Sequence, residues 1–255
     1  MSKLKEKIEQ VVNAFKQNND EAEKSIRTII EGYCTNSSIF SKFQPQYKID
    51  AFKEAVDAET KPISENVDKT NVLFNQKVKA IIAEEKGNIL PKPKEKSADY
   101  AIRVSNALKY LEIEGEKLTD ETAFEILKDF VDDYEQMKLF KQVIKRQMKT
   151  EILENIEGKS KFPRTFDNFN KIEKLVNTFN EMEAIANVLF LKGTDKSEIY
   201  IFDNAKIELP LLSLPGYTEL TNEDKILELA EFIDITINEA NSIVKNKNYV
   251  NITEW

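Results

Sequence analysis

The sequence predicts a mainly α-helical protein, a multi-helix bundle with long antiparallel helices and one small β-hairpin or short-strand insertion near residues 188–217. Three observations carry this prediction. Only 6 glycines and 7 prolines punctuate 255 residues, which favours helices joined by short turns. Apolar residues recur every three or four positions through most of the chain, as a helix with one buried face requires. A single run, Ile199-Tyr200-Ile201-Phe202, instead gathers β-branched and aromatic residues between turn formers.

The elements follow in order. Leu4, Ile8, Val11 and Phe15 form one stripe of a first helix that Ser2 can cap by accepting a hydrogen bond from a free backbone N–H. This is not a full capping box, because the residue three places on is Lys5. Asn18-Asn19-Asp20 is expected to end that helix and cap a second one, in which Ile26, Ile29, Ile30 and Tyr33 face inward and Gly32 sits near the end. The two would make a helical hairpin. A third helix is expected over residues 46–59, and Pro62 is expected to open a fourth, where a missing N–H costs little. Ile63, Val67, Thr70, Phe74 and Ile81 give that helix a nearly heptad spacing. The stretch GNILPKPKEK, residues 87–96, has two prolines and alternating lysines and reads as a linker. It divides an N-terminal helical subdomain (1–90) from a C-terminal helical domain (98–255), with the linker proper at 91–97.

Ser97 is expected to cap the next helix, which carries Tyr100, Val104, Ala107, Leu108 and Leu111 and stops near Gly115. Thr119 caps a long helix expected to run to Lys149 or beyond, with Asp120 and Glu121 in its first turn. Another begins after Pro163, with Phe169, Ile172, Leu175, Val176, Phe179 and Met182 inward. The β insertion follows over 188–217. Thr221 then caps a last helix reaching about residue 245, and the C-terminal tail (246–255) ends on Trp255, the only tryptophan.

Composition narrows the chemistry. With 45 acidic and 37 basic residues the net charge is -8, so a nucleic-acid partner is disfavoured and an anionic membrane more so. No apolar run approaches the roughly 18 residues that cross a bilayer, and the N-terminus lacks the apolar block of a secretory signal. A cytoplasmic setting, or one within an assembled particle, follows as the expectation. The single Cys34 excludes an internal disulfide and has no imidazole partner to activate it. The chain holds no histidine, which removes the usual general base and the usual zinc ligand. GxGxxG, GxxxxGK[ST] and GxSxG are all missing from the sequence, so no nucleotide loop or nucleophile elbow is indicated. We expect no cofactor and no metal.

The stretch nearest to catalysis is DFVDDYE, residues 129–135. On the helix that Thr119 opens, at about 100° per residue, Asp129, Asp132 and Asp133 fall at about 200°, 140° and 240° from Leu127, away from the stripe of Leu127, Phe130, Val131, Tyr134 and Met137. They would point to water. Magnesium-binding helical enzymes need a facing pair of such clusters, and no second DxxDD or DDxxD occurs.

Three groups of residues suit contact with another protein. Lys141, Lys145 and Arg146 crowd the second half of the helix whose first half is acidic, a pattern that suits register-setting contact with a neighbour. Ile199 and Ile201 lie on a short strand suited to strand addition. Tyr249, Ile252 and Trp255 place apolar groups on a terminal segment that would ordinarily be polar, and aromatics carry much interface energy. The leading expectation is therefore a non-enzymatic interaction or assembly protein: a scaffold, an adaptor or a minor structural component of a larger particle. Its partner would be another protein or a second copy. The Lys-, Asn-, Ile- and Glu-rich composition is that of an AT-rich genome, such as those of some low-GC bacteria and their phages. The alternatives are a nucleic-acid-associated regulator, and an enzyme or small-molecule binder that uses a cavity of the bundle.

Overall fold

The computed structural model describes residues 4–90, 95–131, 133–147, 161–190, 194–214 and 221–245. Among these are seven α-helices and a two-stranded antiparallel sheet, the mainly α bundle with a small hairpin that the sequence predicts. The helices are α1 (Leu4–Thr35), α2 (Pro45–Ile89), α3 (Tyr100–Glu114), α4 (Asp120–Leu127), α5 (Tyr134–Gln147), α6 (Pro163–Ala186) and α7 (Asn222–Lys245). The strands are β1 (Thr194–Phe202) and β2 (Ala205–Leu214). Contacts divide the chain into two compact units, one of Met1–Ala83 with Glu181–Asp234, the other of Glu84–Asn180 with Ile235–Trp255.

Two expected helix breaks do not occur. α1 runs through Asn18-Asn19-Asp20 because Asn19 is buried and satisfied: its amide donates to the Phe15 carbonyl at 2.8 Å and to Asn71 Oδ1 at 3.3 Å. An asparagine with partners in the helical conformation has no need of a cap or turn. α2 likewise runs through Pro62. Proline removes one helical hydrogen bond and crowds the preceding turn, but Val56, Thr60 and Val67 are buried on either side of it and the Thr60 hydroxyl donates to the Val56 carbonyl at 2.9 Å. Packing outweighs the local signal. Pro45 takes the first-turn position instead.

In the first unit the hairpin lies on the aromatic core. Asp203 and Asn204 make its two-residue turn, both with positive φ (49° and 66°), the geometry that matches the twist of the two strands. Phe202 stacks on Phe52 at 4.1 Å and meets Phe40 edge-on at 5.4 Å. A register shift between Asp195 and Ser197 gives β2 one extra residue, and Leu211 and Leu212 are both buried there. Outside the hairpin, Phe190 adopts φ 59° while stacking on Phe15 at 4.2 Å. Asn75 donates to the carbonyls of Ala186 and Leu189, both at 2.7 Å.

The N-terminus of α1 shows a device hidden from local sequence. The Asp234 carboxylate, on α7, accepts from the backbone N–H groups of Leu4 and Lys5, each at 3.0 Å, meeting the free donors and the positive end of the helix dipole. Ser2, the expected cap, lies outside the described residues.

In the second unit, Leu111, Leu127, Phe140, Ile144, Phe162 and Phe166 form the centre of one core cluster. α3 starts at Tyr100, three residues after the expected cap; the Ser97 carbonyl accepts from the Tyr100 N–H at 3.0 Å. Gly115 ends it with φ 50°, a conformation open to glycine at no steric cost. Thr119 caps α4 through its hydroxyl, as the sequence predicts. Asp120 serves α6 as Asp234 serves α1: its carboxylate accepts from the N–H groups of Arg164 at 2.9 Å and Thr165 at 3.0 Å, and from the Thr165 hydroxyl at 2.7 Å. α7 begins as expected, with the Thr221 hydroxyl accepting from the Asp224 N–H at 3.2 Å.

Candidate interaction surfaces

The DFVDDYE stretch does not lie on one helix. α4 ends at Leu127, a 3₁₀ turn covers Lys128–Phe130, and α5 begins at Tyr134. Asp133 starts it: one carboxylate oxygen accepts from the Gln136 N–H at 3.0 Å and its carbonyl from the Met137 N–H at 2.8 Å. The other oxygen accepts from the Tyr100 hydroxyl at 2.5 Å and pairs with Lys96 at 3.1 Å. Burial alone would raise the Asp133 pKa; the Tyr100 hydroxyl, the Gln136 N–H and Lys96 outweigh it and hold the carboxyl below the usual range. The expectation of a hydrated Asp133 is thus corrected, because this side chain is half-buried and fully engaged. Asp129 is exposed and pairs with Arg103 at 2.6 Å. Asp132 lies outside the described residues. Among the described residues no three acidic or cysteine groups come together as metal ligands would.

The three cations on α5 separate by environment. Lys141 is turned to α6, where its ammonium donates to Asn170 and pairs with Glu173, both at 2.8 Å, and stands 5.0 Å from the centre of the Phe169 ring. Lys145 and Arg146 are exposed. They form, with Lys138, Leu139 and Gln142, the outer strip of the helix, whose opposite face buries Met137, Phe140 and Ile144.

Ile199 and Ile201 are 64% and 67% exposed. They stand side by side on the outer face of β1, opposite Glu208 and Lys206, while Phe202, Ile207 and Leu209 turn into the core. A network of charges anchors the strand beneath them. Arg27 pairs with Glu198 and, at 2.9 Å, with Glu23, which also holds Lys196 at 2.8 Å. The Tyr200 hydroxyl donates to Glu198 at 2.9 Å, and burial together with that carboxylate pushes its pKa up to about 12. Tyr249, Ile252 and Trp255 lie outside the described residues.

Sequence reasoning missed two apolar surfaces. Ile102, Tyr110 and Ile113 are all exposed on α3 and, at spacings of eight and three, share one face. The same helix buries Ala107 and Leu111, so it is apolar on both sides, and its sequence carries both stripes. Beside it, Arg103, Ala107, Tyr110, Glu125, Asp129 and Phe130 line a groove of about 380 Å³ between α3 and α4. The second surface spans the turn before α2 and the first turn of that helix, where Ile39, Phe43 and Tyr47 are exposed. No helix of the described residues is long and apolar enough to cross a membrane. The chain matches no protein-family model, and no curated protein or solved structure matches it.

Proposed function

We propose that the chain acts as a non-enzymatic protein–protein interaction or assembly protein, a scaffold, adaptor or minor structural component of a larger particle. One observation carries the reading: Ile199 and Ile201 lie adjacent and about two-thirds exposed on a strand whose other face is core. Fully burying one isoleucine is worth about 1.5–3 kcal/mol, so a rigid pair on a flat face offers a partner a ready anchor. The charges of Lys206 and Glu208 flank the pair, as a polar rim flanks an interface centre.

Light scattering and native mass spectrometry of the purified chain test this reading. A defined oligomer, or co-purification with a particle, supports it, and Ile199→Lys with Ile201→Lys should then release the partner at an unchanged melting temperature. A monomer carrying a bound metabolite, with the double variant indistinguishable from the parent, would refute it. Deletion of residues 247–255 asks the same of Tyr249, Ile252 and Trp255: lost assembly with an intact melting temperature makes them an anchor, and lost thermal stability makes them part of the fold.

A further inference from the structure

We propose that two copies of this chain join along the outer edge of β1, each pairing antiparallel with the other's β1 about a two-fold axis at Tyr200, so that two hairpins become one four-stranded sheet. This rests on the assembly reading above and names both its partner, a second copy, and the mode of contact.

The hairpin geometry decides which backbone groups are free. In an antiparallel ladder, pairs that exchange both N–H···O=C bonds alternate with pairs that exchange none. A two-residue turn with positive φ at both positions makes its flanking residues a bonded pair, here Phe202 and Ala205. Tyr200 with Ile207 and Glu198 with Leu209 are then bonded as well, whereas Ile201 with Lys206, Ile199 with Glu208 and Ser197 with Pro210 are not. The last of these agrees, since proline has no N–H to give. The N–H and C=O groups of Ile199 and Ile201 therefore point away from β2. Among the described residues the sheet has two strands, and no turn or loop backbone bonds to this edge.

The two edges of the hairpin are unlike. The outward groups of β2 belong to Lys206, Glu208 and Pro210, and charges and proline are what keep an edge from pairing. Those of β1 belong to Ser197, Ile199 and Ile201, all uncharged and exposed. A helix spends its backbone groups on itself, so only a strand can use this edge, and the edge complements its own copy. Pairing about Tyr200 sets Ile199 opposite the partner's Ile201 and Ile201 opposite the partner's Ile199, and each pair exchanges two bonds, four in all. A slip of two residues either way leaves one isoleucine of each copy opposite Ser197 or Asp203, and a slip of one sets free groups against occupied ones. On the outer face, one row then runs Lys206, Ile201, the partner's Ile199, the partner's Glu208, and the next row is its reverse. The four isoleucines become one patch, each row carries one charge of either sign, and no like charges meet at the seam. The contact is isologous, so it closes as a dimer and leaves no β1 edge over.

Amide hydrogen exchange read by NMR on the full chain, with sedimentation velocity for its size, tests the inference. In the monomer the Ile199 and Ile201 amides face water and exchange fast, while those of Tyr200 and Phe202, bonded to β2, are slow. Raising the concentration should produce a dimer and slow Ile199 and Ile201 in step with it, by about tenfold once about nine-tenths of the chains are paired, and leave Tyr200 and Phe202 as they were. Ile199→Pro removes one outward N–H from each copy and no bond to β2, so it should weaken the dimer by more than about tenfold. If that variant melts early, the parent's amides decide alone. A dimer in which Ile199 and Ile201 still exchange fast overturns the inference and leaves the assembly reading standing on other surfaces. Slow exchange of both amides in a dilute monomer overturns it by showing the edge covered within one chain. A parent that stays monomeric to about 1 mM, the limit of weak association, overturns the inference together with self-assembly.

Discussion

Replacing Asn75 with alanine should cost far more stability than its position on a polar stretch of α2 suggests. The side chain is 6% exposed, and its amide donates to two carbonyls, of Ala186 and Leu189, at 2.7 Å each. Both acceptor residues are fully buried, so neither carbonyl has ready access to water once the amide is removed. Leaving a buried polar group unpaired costs about 1–3 kcal/mol, and two carbonyls lose their donor, so Asn75→Ala should destabilise by about 3–5 kcal/mol, a fifth or more of the total for a typical domain. At about 2–4 °C per kcal/mol for chains near this size, the melting temperature falls by about 6–20 °C. Urea denaturation followed by circular dichroism measures the change. Asn75→Asp, which keeps the size and loses the donors, should be at least as damaging. Asn71→Ala, which removes two long bonds to Asn19, one accepted at 3.3 Å and one donated at 3.5 Å, should cost less, about 1–2 kcal/mol, since each is worth about 1 kcal/mol or below. An Asn75→Ala cost below about 1 kcal/mol, with an unchanged denaturant slope, would refute the reasoning by showing that the carbonyls find other partners.

Other expectations follow from the same geometry. Pro62→Ala should stabilise the protein by about 1–3 kcal/mol, since it restores a hydrogen-bonded position inside α2; a loss of stability on thermal melting would contradict this. Asn204→Ala should cost about 1–2 kcal/mol, because φ 66° is a left-handed conformation that asparagine tolerates and alanine does not, and calorimetry reads the loss. Asp133 has a folded pKa below its ordinary value, so its contribution is complete above the unfolded pKa of about 3.9 and is lost as pH falls through the folded value. Asp133→Asn should therefore lower stability at neutral pH and flatten its decline in acid, which melting curves from about pH 7 to pH 2 would show.

The sequence made most of the fold legible and its capping only in part. The stripes of Leu4–Phe15 and Phe169–Met182 identify buried faces, and Thr119, Gly115 and Thr221 mark helix ends that the structure keeps. The break before α5 was also signalled, by Asp133 standing three residues ahead of Gln136 in the spacing of a capping box, but the strong apolar period across it reads as one helix. Asn19 and Pro62 mislead in the opposite direction. Their local preference for a break is worth about 1–3 kcal/mol, less than the packing that surrounds them. Among the site residues, exposure of Ile199 and Ile201 follows from strand alternation, whereas nothing local distinguishes Lys141 from Lys145.

What the sequence by itself determined is the class of the protein: helices wherever a 3.6-residue period holds, and one hairpin where β-branched and aromatic residues gather around Asp203-Asn204. Periodicity and turn chemistry act over a few residues, so they can be read there. The tertiary structure alone decided which polar groups are consumed by the fold, because their partners lie far along the chain. Asp234 closes the start of α1 across 230 positions, Asp120 closes α6 across 44, and Glu173 takes Lys141 out of the basic strip. A side chain's charge is written in its letter; whether that charge faces water, a helix end or an opposite charge is fixed only when distant segments meet.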